Sequence, residues 1–249
     1  MTAPDPTGAA EYWARLLGGE PDGASVRLHA GTRIEVVEGP MEALAEERFD
    51  AGPELMRAIG GATEVTDPDG WLLRFNEVEE VTRLPLDGPM LSHCTLNSPD
   101  PARQRAYYED LLFLLSDQLG DIFCWLRPNP IHHSLAFSAH AEANIHHIAV
   151  ELPDKAAFIE AIDGVIAAGS KLEFGPGRHM VGGNLFAYLR DRHGIRWELC
   201  AELAYLDPAR PPGLLTAEDR GRSVNTFGPP PPQSFIQEPG GPAPARALT

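Results

Sequence analysis

Lysine and basic patches are scarce in this chain. Lys155 and Lys171 are its two lysines, and 20 basic residues face 36 acidic ones, for a formal net charge of -16. Without a stretch rich in Lys and Arg, the chain has little with which to bind nucleic-acid phosphates or an anionic membrane. Neither lysine stands in a GxxxxGK(S/T) pattern, so a phosphate-binding loop of that type is excluded as well.

Long apolar runs, a secretion signal and paired cysteines are also lacking. No apolar run approaches the ~20 residues of a membrane-spanning helix. The N-terminus has no basic region followed by an apolar block, which predicts a cytoplasmic location. The three cysteines lie far apart without a CxxC pair, which argues against a disulfide framework or a Cys-based zinc site. A hydrophobic content of 43% over 249 residues is typical of one or two globular domains.

Histidine, by contrast, is concentrated in one part of the chain. Eight of the nine histidines lie between positions 93 and 193, and only His29 lies outside. Residues 131–147 carry two His-His pairs on short apolar runs separated by polar, turn-like residues. Imidazole is the commonest metal ligand and exchanges protons near neutral pH, so this concentration predicts a metal or acid-base site. Several independent core or surface histidines are the alternative.

An internal repeat orders these histidines. Residues 90–100 align with residues 144–154, and the alignment pairs His93 with His147. Each aligned segment reads as a strand and is followed by a helical pattern and then by further strands, which predicts two successive βαβββ units. The two helical segments are 101–115 and 155–169. A related hairpin occurs earlier in the chain, because DPDGWLLRF corresponds to DRHGIRWEL at the end of the second unit.

The repeat predicts an α+β fold of tandem βαβββ modules in three parts. These are a structural N-terminal domain with about one module (1–88), a catalytic domain of two modules (89–205) and a C-terminal tail (206–249). The tail holds ten prolines and few large apolar residues, which predicts an extended surface segment that ends in disorder. A docking site for a proline-reading partner is the alternative.

The repeat also predicts a ligand set. His93 and His147 occupy equivalent positions on the first strands of two modules, so they meet if the modules pack about a pseudo-twofold axis. Period-two alternation on the last strand separates Glu198 from Trp197, and Glu198 can point where the imidazoles point. Two His and one carboxylate form the facial triad of non-haem Fe(II) sites, which leaves adjacent positions open for a bidentate substrate and dioxygen. The counterpart of Glu198 in the first unit is Arg74, which cannot bind a cation.

Six motifs between residues 90 and 203 are specific in combination. They are LSHCTL, SDQLGDIFCWLRPNPIHHSLAF, IHHIAV, EFGPGRH, NLFAYLRD and GIRWELCAEL. Together they resemble the type I extradiol ring-cleavage dioxygenases of the vicinal oxygen chelate superfamily. This resemblance implies curved mixed sheets that form an open barrel around a metal, with His93, His147 and Glu198 as the iron ligands.

The same resemblance implies three catalytic residues. His133, in the HHSLAF strand, would be the acid-base, while His179 and Tyr188 would lie beside the substrate hydroxyls. Each has a structural alternative: a core imidazole bonded to a carbonyl for His133, a lid contact for His179 and a packed strand aromatic for Tyr188. The remaining histidines of the cluster are assigned to structure or surface, and alternation is expected to turn His146 away from His147. These remaining histidines are His132, His140, His146 and His193.

The expected activity is cleavage of a catechol-type ring next to its two hydroxyls, with O2 and an aromatic diol as partners and with Fe(II) as cofactor. Mn(II) accepts the same ligands. The chain is expected to form a homo-oligomer and to bind neither nucleic acid nor a membrane. The alternatives are a metal-dependent lyase, isomerase or transferase on the same scaffold, which would need a fourth protein ligand, and a metal-free binding module. Family members carry two modules before the catalytic pair, whereas this N-terminal part has room for about one, so it reads as truncated.

Overall fold

The computed structural model describes residues 1–28, 33–38, 47–79 and 86–244. His29 lies outside the described residues. Before residue 90 the strands are β1 (Thr2–Ala3), β2 (Glu20–Pro21), β3 (Ser25–Arg27), β4 (Arg33–Glu35), β5 (Val37–Glu38), β6 (Glu47–Ala51), β7 (Glu64–Thr66) and β8 (Leu72–Glu77), and the helices are α1 (Pro6–Leu17) and α2 (Pro53–Ala58). These strands form small sheets of two or three members within the described residues.

The two repeated units follow one another from residue 90. The first consists of β9 (Met90–Ser98), α3 (Pro101–Asp110), β10 (Leu114–Leu119), β11 (Phe123–Arg127) and β12 (Leu135–Ala139). The second consists of β13 (Asn144–Glu151), α4 (Lys155–Ala167), β14 (Leu172–Arg178), β15 (Leu185–Arg190) and β16 (Arg196–Ala201). The C-terminal segment adds β17 (Gly213–Leu215), a 3-10 turn (Ala217–Asp219), α5 (Arg220–Val224) and α6 (Gln233–Gln237).

The strands of both units join in one large mixed sheet of nine described strands, in the order β14-β15-β16-β13-β9-β12-β11-β10-β17. At its centre β9 and β13 pair antiparallel, and on either side each unit continues with its fourth, third and second strands. This order is symmetric about the β9–β13 pair, which is the pseudo-twofold relation that the repeat predicts. The expected α+β architecture of tandem modules is confirmed.

The two unit helices begin in the same way. Asp100 accepts a hydrogen bond from the backbone N–H of Arg103, and Asp154 accepts one from that of Ala157. An aspartate at this position satisfies an N–H that has no partner inside the helix. The repeated Asp therefore fixes where the chain leaves the central strand and starts its crossover.

Helix α3 is shorter than the sequence pattern predicted. The helical pattern extended to residue 115, but the helix ends at Asp110 and Leu112 has a left-handed backbone with φ of 64°. Residues Leu114–Leu119 instead form β10, which pairs with β11 and has Leu115 and Leu119 buried. The apolar run was compatible with either element, and pairing along the sheet decided it. The strand completes the βαβββ unit.

Two equivalent turns, one in the N-terminal part and one in the second unit, are each closed by an aspartate side chain. Asp67 accepts hydrogen bonds from the backbone N–H groups of Asp69 and Trp71, and Asp191 does the same for His193 and Ile195. The Asp191 carboxylate also accepts from the indole N–H groups of two buried tryptophans, at 2.7 and 2.9 Å. These tryptophans are Trp13 of α1 and Trp197 of β16. The N-terminal helix is thereby attached directly to the strand that carries Glu198.

Asp67 makes the stability of this fold depend on pH. Burial raises the pKa of its carboxyl to about 6, against the lowering effect of the hydrogen bond from Trp71 N–H. A raised folded-state pKa means that this group favours the folded state most below pH 4 and loses that contribution as the pH rises through 6. Above pH 6 the ionised, buried carboxylate destabilises the folded state.

We therefore expect Asp67→Asn to gain stability relative to the wild type as the pH rises. The amide can keep both backbone hydrogen bonds at Oδ1, and the phenol of Tyr108, 3.2 Å from Oδ2, can accept from the new NH2 group. The difference in unfolding free energy should grow in favour of the variant by up to roughly 3 kcal/mol between pH 4 and pH 7. Urea denaturation at both pH values measures it, and a difference that stays constant would contradict the assignment.

The C-terminal segment packs against both units. Strand β17 pairs parallel with β10, and the ring of Phe235 in α6 is buried against Tyr188 and His146. Gly240 bonds to the backbone of β13 and β16 through Ile145 and Arg196. Although rich in proline, the described part of this segment thus forms short elements and contributes to the core, instead of only lying extended on the surface.

Cys94, Cys124 and Cys200 form no disulfide bond with one another. Among the described residues, no helix has both the length and the apolar character needed to cross a membrane.

Candidate metal centre and active site

Three side chains from three strands converge at the centre of the large sheet. The Nε2 atoms of His93 on β9 and His147 on β13 each lie 3.1 Å from Oε2 of Glu198 on β16. One ligand atom from each residue lies within 4.8 Å of the others, and all three residues are buried. This is the set that the repeat and the strand alternation predicted, and it is a site suited to a divalent metal.

The sheet register explains the convergence. Thr95, two positions after His93 on β9, pairs with His147 across the antiparallel β9–β13 pair. Strand β16 pairs parallel with β13 and sets Glu198 opposite Ala149. Because side chains alternate along each strand, residues two apart point to the same face, and the three ligands meet on one face of the sheet. In the N-terminal unit the counterpart position, Arg74 of β8, forms an ion pair with Glu64 at 2.8 Å.

The donor set fits a divalent cation. Nε2 of His147 is buried and makes no hydrogen bond of good geometry within the described residues, although it lies 3.1 Å from a carboxylate oxygen. Burial lowers the pKa of His147 to about 4, against the opposing effect of Glu198, which leaves a neutral imidazole with a lone pair. Burial alone would raise the pKa of Glu198, but the two imidazoles outweigh it and hold that pKa well below its usual range. Neutral imidazole and ionised carboxylate are the forms that bind metals.

Two further groups orient the Glu198 carboxylate. The side-chain amide of Asn184 donates to Oε1 at 3.0 Å, and the hydroxyl of Tyr188 donates to Oε2 at 2.8 Å. Burial, and next the charge of Glu198, raise the pKa of Tyr188 well above its ordinary value, so the phenol keeps its proton. Such outer contacts fix the direction of a ligand and commonly change metal affinity 10–100-fold when removed.

His179 lies on the other side of Tyr188. Its Nε2 is 3.0 Å from the Tyr188 hydroxyl, and its Nδ1 is 2.6 Å from the carbonyl oxygen of Val224 in the C-terminal segment. The carbonyl can only accept, so Nδ1 carries a proton and donates it. The predicted pair His179 and Tyr188 is therefore assembled beside Glu198, and the C-terminal segment sets the orientation of the imidazole.

His133 borders the ligand group from the side of the first unit. Its ring centroid is 4.1 Å from that of His93, and the residue is buried. Burial, and next the charges of His93 and His132, hold the pKa of His133 well below its ordinary value. The ring is thus a neutral imidazole beside the ligands, in the form that can accept a proton.

The structure corrects the expected orientation of His146. Alternation predicted that it faces away from His147, but the Nδ1 atoms of the two rings lie 2.7 Å apart. The register of β13 against β9 shifts between Ile145 and His147, which makes His146 the extra residue of a bulge. A bulge suspends the alternation locally and allows neighbours to lie on one side. The prediction was wrong because strand periodicity does not reveal bulges.

Sequence reasoning missed several groups that surround the site. Asn184 stood at the start of the NLFAYLRD motif, yet nothing in its spacing marked it as a partner of Glu198. Asp117 stood near the start of the SDQLGDIFCWLRPNPIHHSLAF motif, where no role was assigned to it, and His132 was assigned to structure or surface. Val224 and Phe235 belong to the tail, whose contacts with the second unit no local pattern indicates.

Comparison with known proteins agrees with this geometry. Residues 90–199 match the family model described as the Glyoxalase/Bleomycin resistance protein/Dioxygenase superfamily. Over this segment the chain is similar to that superfamily. The matched residues include His93, His147 and Glu198, so the matched segment contains the whole ligand group. The resemblance that the six motifs indicated is confirmed at this level.

The chain is similar to one curated protein and to several solved structures. Metapyrocatechase 2 of Cupriavidus necator is 31% identical over 152 residues, which are 59% of this chain and 47% of that protein. The chain therefore spans about half the length of this curated relative. The crystal structure of homoprotocatechuate 2,3-dioxygenase from Arthrobacter globiformis has a TM-score of 0.79 at 24% identity, over 98% of this chain and 92% of that one.

A second solved structure shares the fold to the same degree. The Mn(II)-bound glyoxalase from Novosphingobium aromaticivorans has a TM-score of 0.80 at 19% identity, over 99% of this chain and 96% of that one. At these identities the structural likeness establishes the common fold. The chemistry has to be argued from the side chains at the site.

Proposed function

We propose that this chain is a metal-dependent extradiol dioxygenase that cleaves a catechol-type ring next to its two hydroxyls. His93, His147 and Glu198 are the metal ligands, and Fe(II) is the expected ion. The observation that carries the proposal is a buried group of two imidazoles and one carboxylate, surrounded by His133, Tyr188 and other proton-exchanging groups. The similarity to Metapyrocatechase 2 supports the same reaction class.

The ligand group leaves part of the coordination sphere free. Two His and one carboxylate are the donor set of non-haem Fe(II) oxygenases, in which the remaining positions accept substrate and dioxygen. Bound Fe(II) would hold both oxygens of the diol, lower the pKa of its hydroxyls and supply the electron transfer that O2 chemistry requires. Mn(II) would bind the same donors.

The residues around the ligands transfer protons and orient the substrate. His133, a neutral buried imidazole, accepts a hydroxyl proton from the diol and later returns it to oxygen during ring opening. The Tyr188 hydroxyl donates to Glu198 and lies 3.0 Å from Nε2 of His179. Both residues orient the substrate hydroxyls. His179 directly follows β14 and Tyr188 lies on β15, and their contacts with Val224 and Phe235 of the tail keep them fixed while substrate binds.

We also propose that residues 89–205 carry the chemistry and that residues 1–88 are structural. The ligands and the surrounding catalytic candidates all lie between positions 93 and 198. Arg74, at the position equivalent to Glu198, is a cation that pairs with Glu64 and cannot serve as a ligand. The N-terminal helix α1 contributes the Trp13 contact to Asp191 beneath strand β16.

A glyoxalase-type isomerase is the second candidate, because the Mn(II)-bound glyoxalase shares the fold. Members of that class on this scaffold generally need a fourth protein ligand. Among the described residues, the group able to hold a metal has three members, His93, His147 and Glu198. Three ligands leave room for a bidentate diol and for O2, which favours the dioxygenase.

Anaerobic reconstitution with Fe(II) tests the proposal. The reconstituted protein is mixed with several catechols without oxygen and then exposed to air, while absorbance and oxygen are recorded together. We expect a yellow ring-opened product with one O2 consumed per catechol, and less or none with Zn(II) in place of Fe(II). Oxygen uptake without the yellow product indicates another oxidation. In a parallel assay with an α-keto aldehyde adduct in place of the catechol, conversion without O2 indicates the isomerase. Either result would reject the proposed reaction.

A further inference from the structure

A line of hydrogen-bonded side chains runs from Arg210 of the tail to the buried His133. Nη2 of Arg210 donates to Oδ1 of Asp117 at 2.9 Å, and Oδ2 of Asp117 lies 2.6 Å from Nε2 of His132. Nδ1 of His132 then lies 2.9 Å from Nδ1 of His133. Asp117, His132 and His133 are all buried, and His133 borders the ligand His93. The proposed function uses only the last member of this line.

Donor and acceptor rules fix where the protons lie. An ionised carboxylate only accepts, so Nε2 of His132 carries the proton that it donates to Asp117. With a single proton on its ring, held at Nε2 by Asp117, His132 has its lone pair on Nδ1. The adjacent Nδ1 of His133 must therefore carry a proton and donate it, which leaves Nε2 of His133 without one. The second nitrogen of a histidine is commonly set by the hydrogen bond that the first one makes.

We propose that Asp117 and His132 are positioning residues that lock His133 in the tautomer whose free nitrogen, Nε2, accepts the substrate proton. This rests on the proposed role of His133 as acid-base and identifies the groups that make the role possible. After His133 takes a proton at Nε2, its Nδ1–H still donates to His132. The new positive charge then lies next to an imidazole whose far side faces the Asp117 carboxylate.

The surroundings of Asp117 are built to keep its carboxylate in this direction. Arg210 holds Oδ1 and also donates to the carbonyl oxygen of Ser116 at 2.8 Å. Strand β17 sets Gly213 opposite Asp117, and a Cβ at position 213 would lie 2.0 Å from Oδ1. A side chain at Gly213 would therefore displace the carboxylate. The tail segment thus helps to position His133 through Arg210 and Gly213.

Asp117→Asn reverses the chain of hydrogen bonds without changing its shape. Arg210 can only donate, so the amide oxygen takes the place of Oδ1 and the NH2 group takes that of Oδ2. The NH2 group then donates to Nε2 of His132, Nδ1 of His132 becomes the donor, and His133 is left with its proton on Nε2. Nε2 can then no longer accept the proton of the diol.

Nitrogen-15 NMR of the histidine side chains reads these tautomers directly. Protonated and unprotonated ring nitrogens have separate shifts, and the full chain loaded with Zn(II) is diamagnetic. We expect the proton of His133 on Nδ1 in the wild type and on Nε2 in Asp117→Asn. A wild-type proton on Nε2 of His133, or a tautomer that Asp117→Asn does not change, would overturn the proposal. This readout does not need turnover, so it remains decisive even if the wild type fails to cleave catechols.

Kinetics with Fe(II) then distinguish positioning from a general structural effect. Asp117→Asn should lower kcat about 10–100-fold while KM changes less than about twofold, because proton transfer and not binding is impaired. In the His133→Ala background the same substitution should cause no further loss, since groups that act as one unit are not additive. An equal loss in both backgrounds would show that Asp117 acts on stability, and it would refute the proposal that Asp117 positions His133.

Two more variants guard against a folding artefact. His132→Phe removes both nitrogens while keeping a ring in place, and it should lower kcat in the wild-type background but not in His133→Ala. Asp67→Asn makes the same change at a buried aspartate that contacts no histidine in the described structure, and it should keep kcat and both tautomers. A loss of kcat in Asp67→Asn as large as that in Asp117→Asn would count against the proposal.

Discussion

Glu198→Ala is expected to abolish stable metal binding. The carboxylate is the charged member of the ligand group and lies 3.1 Å from both imidazole Nε2 atoms. Two neutral imidazoles would then have to hold a divalent cation in a buried site without a compensating charge, which is strongly unfavourable. The loss of affinity should exceed the roughly 10–100-fold that removal of an outer contact causes. Metal content after anaerobic loading and gel filtration measures it.

Glu202→Ala provides the control for Glu198→Ala. Glu202 lies four positions further along the chain, carries the same charge and pairs with Arg178 outside the ligand group. It should keep the wild-type metal content. If Glu198→Ala retained one metal ion per chain with unchanged affinity, the ion would be held elsewhere and the assignment of the centre would be wrong.

His133→Ala is expected to keep the metal and to lose most turnover. The ring lies beside His93 but is not part of the group of three ligand atoms. Removing a general acid-base typically costs about 10²–10⁴-fold in rate. We expect a fall in kcat of this size with a metal content equal to that of the wild type. Steady-state ring cleavage and metal analysis on the same preparation measure both quantities.

His140→Ala is the matched control, because His140 lies near the same strands but its Nδ1 contacts only the loop around Glu142 and Asn144. It should change neither metal content nor kcat. The contrast between His133→Ala and Glu198→Ala separates acid-base chemistry from ligation. Equal metal loss in both variants would show that the two residues share one role.

The ligand group could be predicted from sequence because two regular features determined it. The repeat aligned His93 with His147, and alternation along one strand placed Glu198 on the same face as the site. The pseudo-twofold order of the large sheet then brings these strands together. A repeated motif and strict strand alternation were thus sufficient to predict the three metal ligands.

Other parts of the site depend on irregular or distant contacts. The bulge at His146 breaks the alternation on β13, and β10 begins after a left-handed residue, Leu112, that local hydrophobic pattern does not reveal. The tail reaches His179 through the carbonyl of Val224, 45 positions away in sequence. Side-chain pairs such as Asp117 with His132 arise only when strands and tail have packed. The composition of the tail predicted an extended segment. Phe235 is nevertheless buried, and composition does not indicate which single residue packs into the core.

Anomalous X-ray scattering from crystals prepared anaerobically with Fe(II) shows directly which side chains hold the metal. We expect one iron peak per chain, bonded to Nε2 of His93, Nε2 of His147 and the carboxylate of Glu198, with the remaining positions open to water or to an added catechol. An iron peak at another position, or a fourth protein side chain that closes the coordination sphere, would contradict this expectation.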